Sequence, residues 1–126
     1  MRGFLLICLG ITGLWDGFTT LYGTLAILGA DTAQMFISVV MAVVIMGLLF
    51  STRSIMKTDP VSLLGVLLRL LWLTAVSYDL YTSYIGNEEF IIQGIANDQQ
   101  AVVLLGITIL VSGSPIMFSL LQDRYL

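Results

Sequence analysis

Asp16 and Asp79 are the residues whose type and setting could do chemistry. Each stands inside a long apolar run and follows an aromatic residue, Trp15 or Tyr78. Hydroxyls follow at +3 and +4: Thr19 and Thr20 after Asp16, Thr82 and Ser83 after Asp79. Positions three and four apart share one face of a helix, so each set forms a compact, oxygen-rich patch. Such oxygens suit protons or hard monovalent cations better than transition metals. An ionised carboxylate well inside hydrocarbon costs at least ~2.5–3.5 kcal/mol, so a carboxyl there is usually protonated or faces water, a cation or a donor. One expectation is a pair that binds protons or cations along a shared interior. The other is interhelical hydrogen bonding that locks a bundle. A placement near the outer interface would lower the cost, most readily for Asp79, eight residues before Asn87.

The two patches belong to a longer match. Trp15-Asp-Gly-Phe-Thr-Thr-Leu-Tyr-Gly-Thr24 reappears as Tyr78-Asp-Leu-Tyr-Thr-Ser-Tyr-Ile-Gly-Asn87, displaced by 63 residues, half the chain. Three of the ten columns are identical, and four more exchange aromatic for aromatic or small polar for small polar. The identities are Asp, Thr and Gly, not the Leu, Ile and Val that make membrane sequences match by chance. Self-similarity at a fixed period signals a repeat. The expectation is a single membrane domain, 1–126, of two tandem helical hairpins, 1–60 and 61–126. A two-helix unit returns to its starting side, so the halves form a parallel repeat about an axis along the membrane normal.

The elements that must position these patches follow from composition. Of 126 residues, 58 % are hydrophobic and only 10 % charged, with mean hydropathy +1.00. A soluble domain carries about a quarter charged residues, and a chain this short cannot bury so much apolar surface in its own core. Lipid must cover the remainder. Thr32 to Thr52 and Gln99 to Gln122 are charge-free stretches of 21 and 24 residues. Each is long enough for a hydrocarbon core of about 30 Å, which takes about 20 helical residues. Gly3 to Ala30 and Val61 to Gly86 are interrupted only by Asp16 and by Arg69 and Asp79. The fold class is therefore all-α and integral to a membrane, with transmembrane helices near 3–30, 32–52, 61–86 and 99–122. The first is read as a retained helix rather than a signal peptide, because no small-x-small site follows Leu9 and the apolar run continues past Asp16. Between the third and fourth spans, Phe90, Ile91, Ile92 and Ile95 suit either a short interfacial helix or a loop on the helix ends.

Basic residues set the orientation. Arg2, Arg53 with Lys57, and Arg124 fall at the N-terminus, the second connection and the C-terminus, whereas the other two connections carry only acids, Asp31 and Glu88, Glu89, Asp98. Both termini and the Ser51–Pro60 loop are expected in the cytoplasm, with the chain in the cell (inner) membrane. Ten residues before the aspartate plane, about 15 Å along a helix, Arg69 is expected to snorkel to the inner headgroups. A place at an inner pore mouth, or against a partner subunit, is the alternative.

Gly10, Gly13 and Gly17, continued by Thr20 and Thr24, form a small-residue stripe suited to tight helix packing. In the fourth span, which also carries Thr108, Ser112, Gly113 and Ser114, Pro115 is expected to kink the helix. Cys8 is expected to be a buried small hydrophobe, and Met35, Met41 and Met46 core packing. The chain has no histidine, one cysteine and a net charge of −3 from eight acids and five bases. Histidine-based metal or haem ligation, a dithiol and a nucleic-acid face are excluded, and no nucleotide loop or nucleophile–base motif is present. No cofactor, metal or enzymatic activity is expected. The partners are the bilayer and either further copies of the chain or other membrane subunits. Two functions fit: an oligomeric channel or small transporter for protons or monovalent cations, or a non-enzymatic subunit that anchors or assembles a larger membrane complex. The orientation is open to test: single cysteines at Asp31 and Gln93 should react with an impermeant reagent applied outside intact cells, and one at Lys57 should not. Labelling at Lys57 from outside would reverse the assignment.

Overall fold

The computed structural model describes residues 2–92 and 98–125. Helix α1, Arg2–Leu28, ends where Gly29 takes a φ of 107°, left-handed backbone that favours glycine at a helix terminus. The chain turns at once into α2, Thr32–Phe50, where the Gln34 side chain accepts the Asp31 N–H at 3.1 Å. Helix α3, Thr52–Met56, is a five-residue helix within the connection expected to be a loop. Ser62 caps α4, Leu63–Asn87, by accepting the Gly65 N–H at 3.0 Å. One π-helical turn, Glu88–Ile92, extends α4, and α5 spans Asp98–Tyr125 and passes through Pro115. The expected spans 3–30, 32–52, 61–86 and 99–122 shift by a few residues at their ends, where glycine and serine caps set the boundaries. Phe90 lies in the π-helical turn, not in a separate helix, and the expected interfacial segment beyond Ile92 falls outside the described residues.

Four of these helices, α1, α2, α4 and α5, are long and apolar enough to cross a membrane. Their outward faces are apolar: Leu14 is 75 % exposed, Phe36 71 %, Leu63 76 % and Val102 72 %. A continuous coat of this kind needs lipid or another apolar partner. Cys8 lies on this outer face, against the expectation of burial, because the inward stripe of α1 is taken by Leu6, Gly13 and Asp16. Met46 packs onto the core, whereas Met35 points outward.

Contacts set the helix directions. Gly13 and Gly17 meet Phe50 and Met46 of α2, and Gly10, Gly13 and Asp16 meet Phe118, Pro115 and Ser112 of α5. Both partners therefore run antiparallel to α1. Trp72 donates to Thr52 while Ala75 packs on Ile45 and Leu49, so α4 doubles back along the second helix; it crosses α1 steeply, since Trp15 meets Asn87 while Thr24 meets Tyr78.

The stripe at Gly10, Gly13 and Gly17 makes room for the side chains of Phe118, Phe50 and Met46. Backbones come closest elsewhere. A Cβ on Gly23 would stand 2.5 Å from the Thr82 carbonyl oxygen, and one on Gly86 would stand 2.7 Å from Thr19 Cβ. Helices α1 and α4 thus touch at two glycines, an approach that any side chain would prevent. Replacing Gly23 or Gly86 by Ala should force the helices apart and lower stability by about 1–3 kcal/mol, the usual cost of overpacking. Gly106→Ala, which meets nothing within 4 Å, should be neutral or stabilising. Detergent melting curves in which all three variants behave alike would remove this close approach from the account.

Candidate functional site

Side by side, α1 and α4 turn their polar patches toward each other in the middle of the bundle. Asp16, Thr19, Thr20, Asp79, Thr82 and Ser83 are all buried, none more than 1 % exposed. All six residues singled out by type and spacing meet in one place. Ser83 Oγ donates to Asp16 Oδ1 at 2.6 Å, and Thr20 Oγ1 donates to Asp79 Oδ1 at 2.5 Å. Each carboxyl is held by the hydroxyl that follows the other. Thr19 and Thr82 hydroxyls return to their own helices, donating to the carbonyl oxygens of Asp16 (2.9 Å) and Asp79 (3.3 Å).

The same exchange extends outward. Trp15 Nε1 donates to Asn87 Oδ1 at 2.9 Å, while the hydroxyls of Tyr78 and Thr24 bond at 2.7 Å. Gly86 rests on Thr19, and Gly23 rests on Thr82. Adding or subtracting 63 converts each of these contacts into its counterpart.

Helix α5 completes the shell with residues that the aspartate spacing did not single out. Ser112 Oγ donates to Asp16 Oδ1 at 3.4 Å, and Asn87 Nδ2 donates to Thr108 Oγ1 at 3.3 Å. Thr108 and Ser112 are four apart in an otherwise apolar run, the one signal that could have placed them on the inner face. Asn87 and Thr24 close the two ten-residue matches, and their partnership with the aromatic residues that open them was not legible.

Two features of the pair decide its chemistry. Ser83 Oγ lies 2.6 Å from Asp16 Oδ1 and 3.5 Å from Asp79 Oδ1, so one hydroxyl stands between the two carboxyl groups. Among the described residues no donor serves Asp16 Oδ2 or Asp79 Oδ2, although both atoms are buried. Two unit charges ~4 Å apart repel by roughly 4 kcal/mol even at an effective dielectric of about 20. Among the described residues no hydrogen bond joins a basic side chain to either carboxyl group. The second helix and residues 99–122 contain no charged side chain. Arg69 turns back toward the start of its helix, donating from Nη2 to the carbonyl oxygens of Met56 (3.1 Å) and Thr58 (3.0 Å). It holds the end of α3 and takes no part in the site.

The surroundings differ between the two ends of the bundle. Toward the C-terminal ends of α1 and α4 the buried residues include Thr19, Thr20, Thr24, Thr82, Ser83, Asn87 and Thr108. Toward their N-terminal ends the pair meets Ile45, Leu49 and Ala75, with Met46, Val76 and Ile116 packed against them. On the flank of α1, Trp15, Phe18 and Tyr22 pack on Phe90 of the π-helical turn at centroid distances of 4.6–6.3 Å. An apolar cleft of about 420 Å³ lies between α1 and α2, lined by residues such as Gly17 and Met46 but by neither aspartate.

The arrangement can hold a proton or a small hard cation between two carboxyls. Among the described residues no group of three metal-ligating side chains occurs. The chain matches no family model, no curated protein and no solved structure.

Proposed function

We propose that the protein is a small membrane transporter that binds a proton or a monovalent cation between Asp16 and Asp79. One observation carries this reading: two carboxyl groups from separate helices gather around one hydroxyl at 0–1 % exposure, each with an oxygen that no donor among the described residues serves. A bundle that needed only interhelical hydrogen bonds would gain nothing from two buried, unserved acceptors, which cost free energy unless something fills them. The site lies within one protomer and is closed on all sides, so the reading is of an occluded binding site, and release requires helices to part. The aromatic cluster around Phe90, beside the hydroxyl-rich end, and the apolar cluster of Ile45, Leu49 and Ala75 are the two barriers such a cycle would open in turn.

In this reading the halves 1–60 and 61–126 are tandem hairpins in a parallel repeat. The contacts exchanged by the 63-residue displacement support a duplication, and the order of two successive hairpins supports the tandem arrangement. Both termini lie in the cytoplasm, as the placement of Arg2, Arg53, Lys57 and Arg124 supports, and the chain resides in the cell (inner) membrane. Its outer coat then faces lipid, further copies of itself or other membrane subunits.

A second reading has one observation in its favour. The Trp15–Asn87 and Tyr78–Thr24 bonds join α1 to α4 outside the carboxyl pair and act as interhelical ties. A non-enzymatic subunit that anchors or assembles a larger membrane complex would need such ties.

Asp→Asn separates the two. It keeps size and hydrogen-bonding capacity but removes the negative charge and the exchangeable carboxyl proton. The Asp16→Asn, Asp79→Asn double variant should assemble and melt like the parent yet lose at least tenfold of the ion or proton flux measured in reconstituted liposomes, the single variants falling between. Full flux in the double variant would end the transport reading. No wild-type flux across a panel of ions and pH gradients would leave the assembly subunit.

A further inference from the structure

We propose that Ser83 is the positioning residue that joins the Asp16 and Asp79 carboxyl groups into one binding site, its hydroxyl hydrogen turning to whichever carboxyl is left uncompensated. The proposal rests on the transport reading only for the use made of the site. The role of Ser83 stands on the geometry around its hydroxyl, and it is the same for a proton as for a metal cation.

Ser83 Oγ lies 2.6 Å from Asp16 Oδ1, 3.5 Å from Asp79 Oδ1 and 3.1 Å from Thr19 Oγ1. A hydroxyl has one hydrogen to give, and it rotates to suit its acceptor. At 2.6 Å the bond to Asp16 is the stronger, so the hydrogen rests there. Hydrogen bonds to an ionised acceptor are roughly twice as strong as neutral ones. Positive charge taken up at Asp16 therefore weakens that bond and makes Asp79 the better acceptor. The turn leaves neither carboxyl bare. Thr20 Oγ1 still holds Asp79 Oδ1 at 2.5 Å, and Ser112 Oγ still reaches Asp16 Oδ1 at 3.4 Å. Both aspartates and Ser83 are at most 1 % exposed, so bulk water does not compete for the hydrogen. The two halves differ at this position. Displaced by 63 residues, the counterpart of Ser83 is Thr20. Threonine is β-branched and stiff about its first side-chain torsion, which suits a hydroxyl committed to one carboxyl. Serine is unbranched, which suits a hydroxyl that stands between two.

Solid-state NMR of the full-length protein in lipid, with isotope-labelled aspartate and serine, tests this. In the wild type, cross-peaks should join Ser83 Cβ to the carboxyl carbons of both Asp16 and Asp79. Ser83→Ala should shift both carboxyl signals, whereas Thr20→Ala should shift that of Asp79 and leave that of Asp16 in place. In an Asp16→Asn background, which removes the Asp16 charge as a bound ligand would, Ser83→Ala should shift the Asp79 signal further than it does in the parent. Wild-type cross-peaks to one carboxyl alone would overturn the proposal, and that result needs no variant to fold. So would a Ser83→Ala spectrum with one carboxyl signal unmoved, or a Thr20→Ala spectrum in which both move alike, the mark of a general loosening. An Asp79 shift that Asp16→Asn does not enlarge would overturn the turning of the hydrogen. The expected spectra in a protein without flux would uphold the role of Ser83 and remove only transport. Flux alongside an unmoved Asp79 signal would overturn that role and leave transport standing.

Discussion

Two carboxyl groups brought together in a dry interior repel unless something else is supplied, and the core is arranged around that constraint. The first supply is hydroxyl donors. A residue at +4 from an aspartate lies on its own helix face, so it reaches the opposite aspartate only if the two faces are pressed together. Thr20 and Ser83 do this for Asp79 and Asp16. Close pressing needs a helix surface without side chains at the contact, which Gly23 and Gly86 provide. Once those two glycines seat on Thr82 and Thr19, the longer side chains at the ends of the contact fall into range, and Trp15 meets Asn87 as Tyr78 meets Thr24.

The remaining helices are placed by what this pair of helices leaves uncovered. Helix α5 brings Ser112 and Thr108 to the polar side, and α2 brings Ile45 and Leu49 to the apolar side. The interior is thus polar where a membrane protein's exterior cannot be, and apolar outside, where lipid replaces the second layer a soluble fold would need. Arg69 belongs to a different problem. Its guanidinium satisfies the carbonyl oxygens that the end of α3 would otherwise expose, and this explains why a basic residue stands inside an apolar span without joining the acids.

Much of this was legible in the sequence because membrane spans announce themselves by length and by the absence of charge. The four long helices and the six polar residues of the patches follow from hydropathy and from the +3, +4 spacing. Three things were not legible, each for a physical reason. Helix ends depend on caps such as Gly29 and Ser62, whose effect is local backbone geometry. The tight contact at Gly23 and Gly86, in place of the stripe at Gly10, Gly13 and Gly17, depends on helix rotation. A small residue marks room for a neighbour without saying whether backbone or a ring such as Phe50 will fill it. Cys8 was misplaced for a related reason, since in lipid an apolar residue gains nothing from turning inward.

The account rests on Asp16 and Asp79 meeting inside one chain, and a cross-link between those positions tests it most directly. In a Cys8→Ser background, Asp16→Cys with Asp79→Cys should form a disulfide on mild oxidation in the membrane. If the Ser51–Pro60 connection is then cut at an inserted protease site, the two halves should migrate as one species until a reductant is added. Halves that separate without reductant, or disulfides found only between chains, would contradict the central claim.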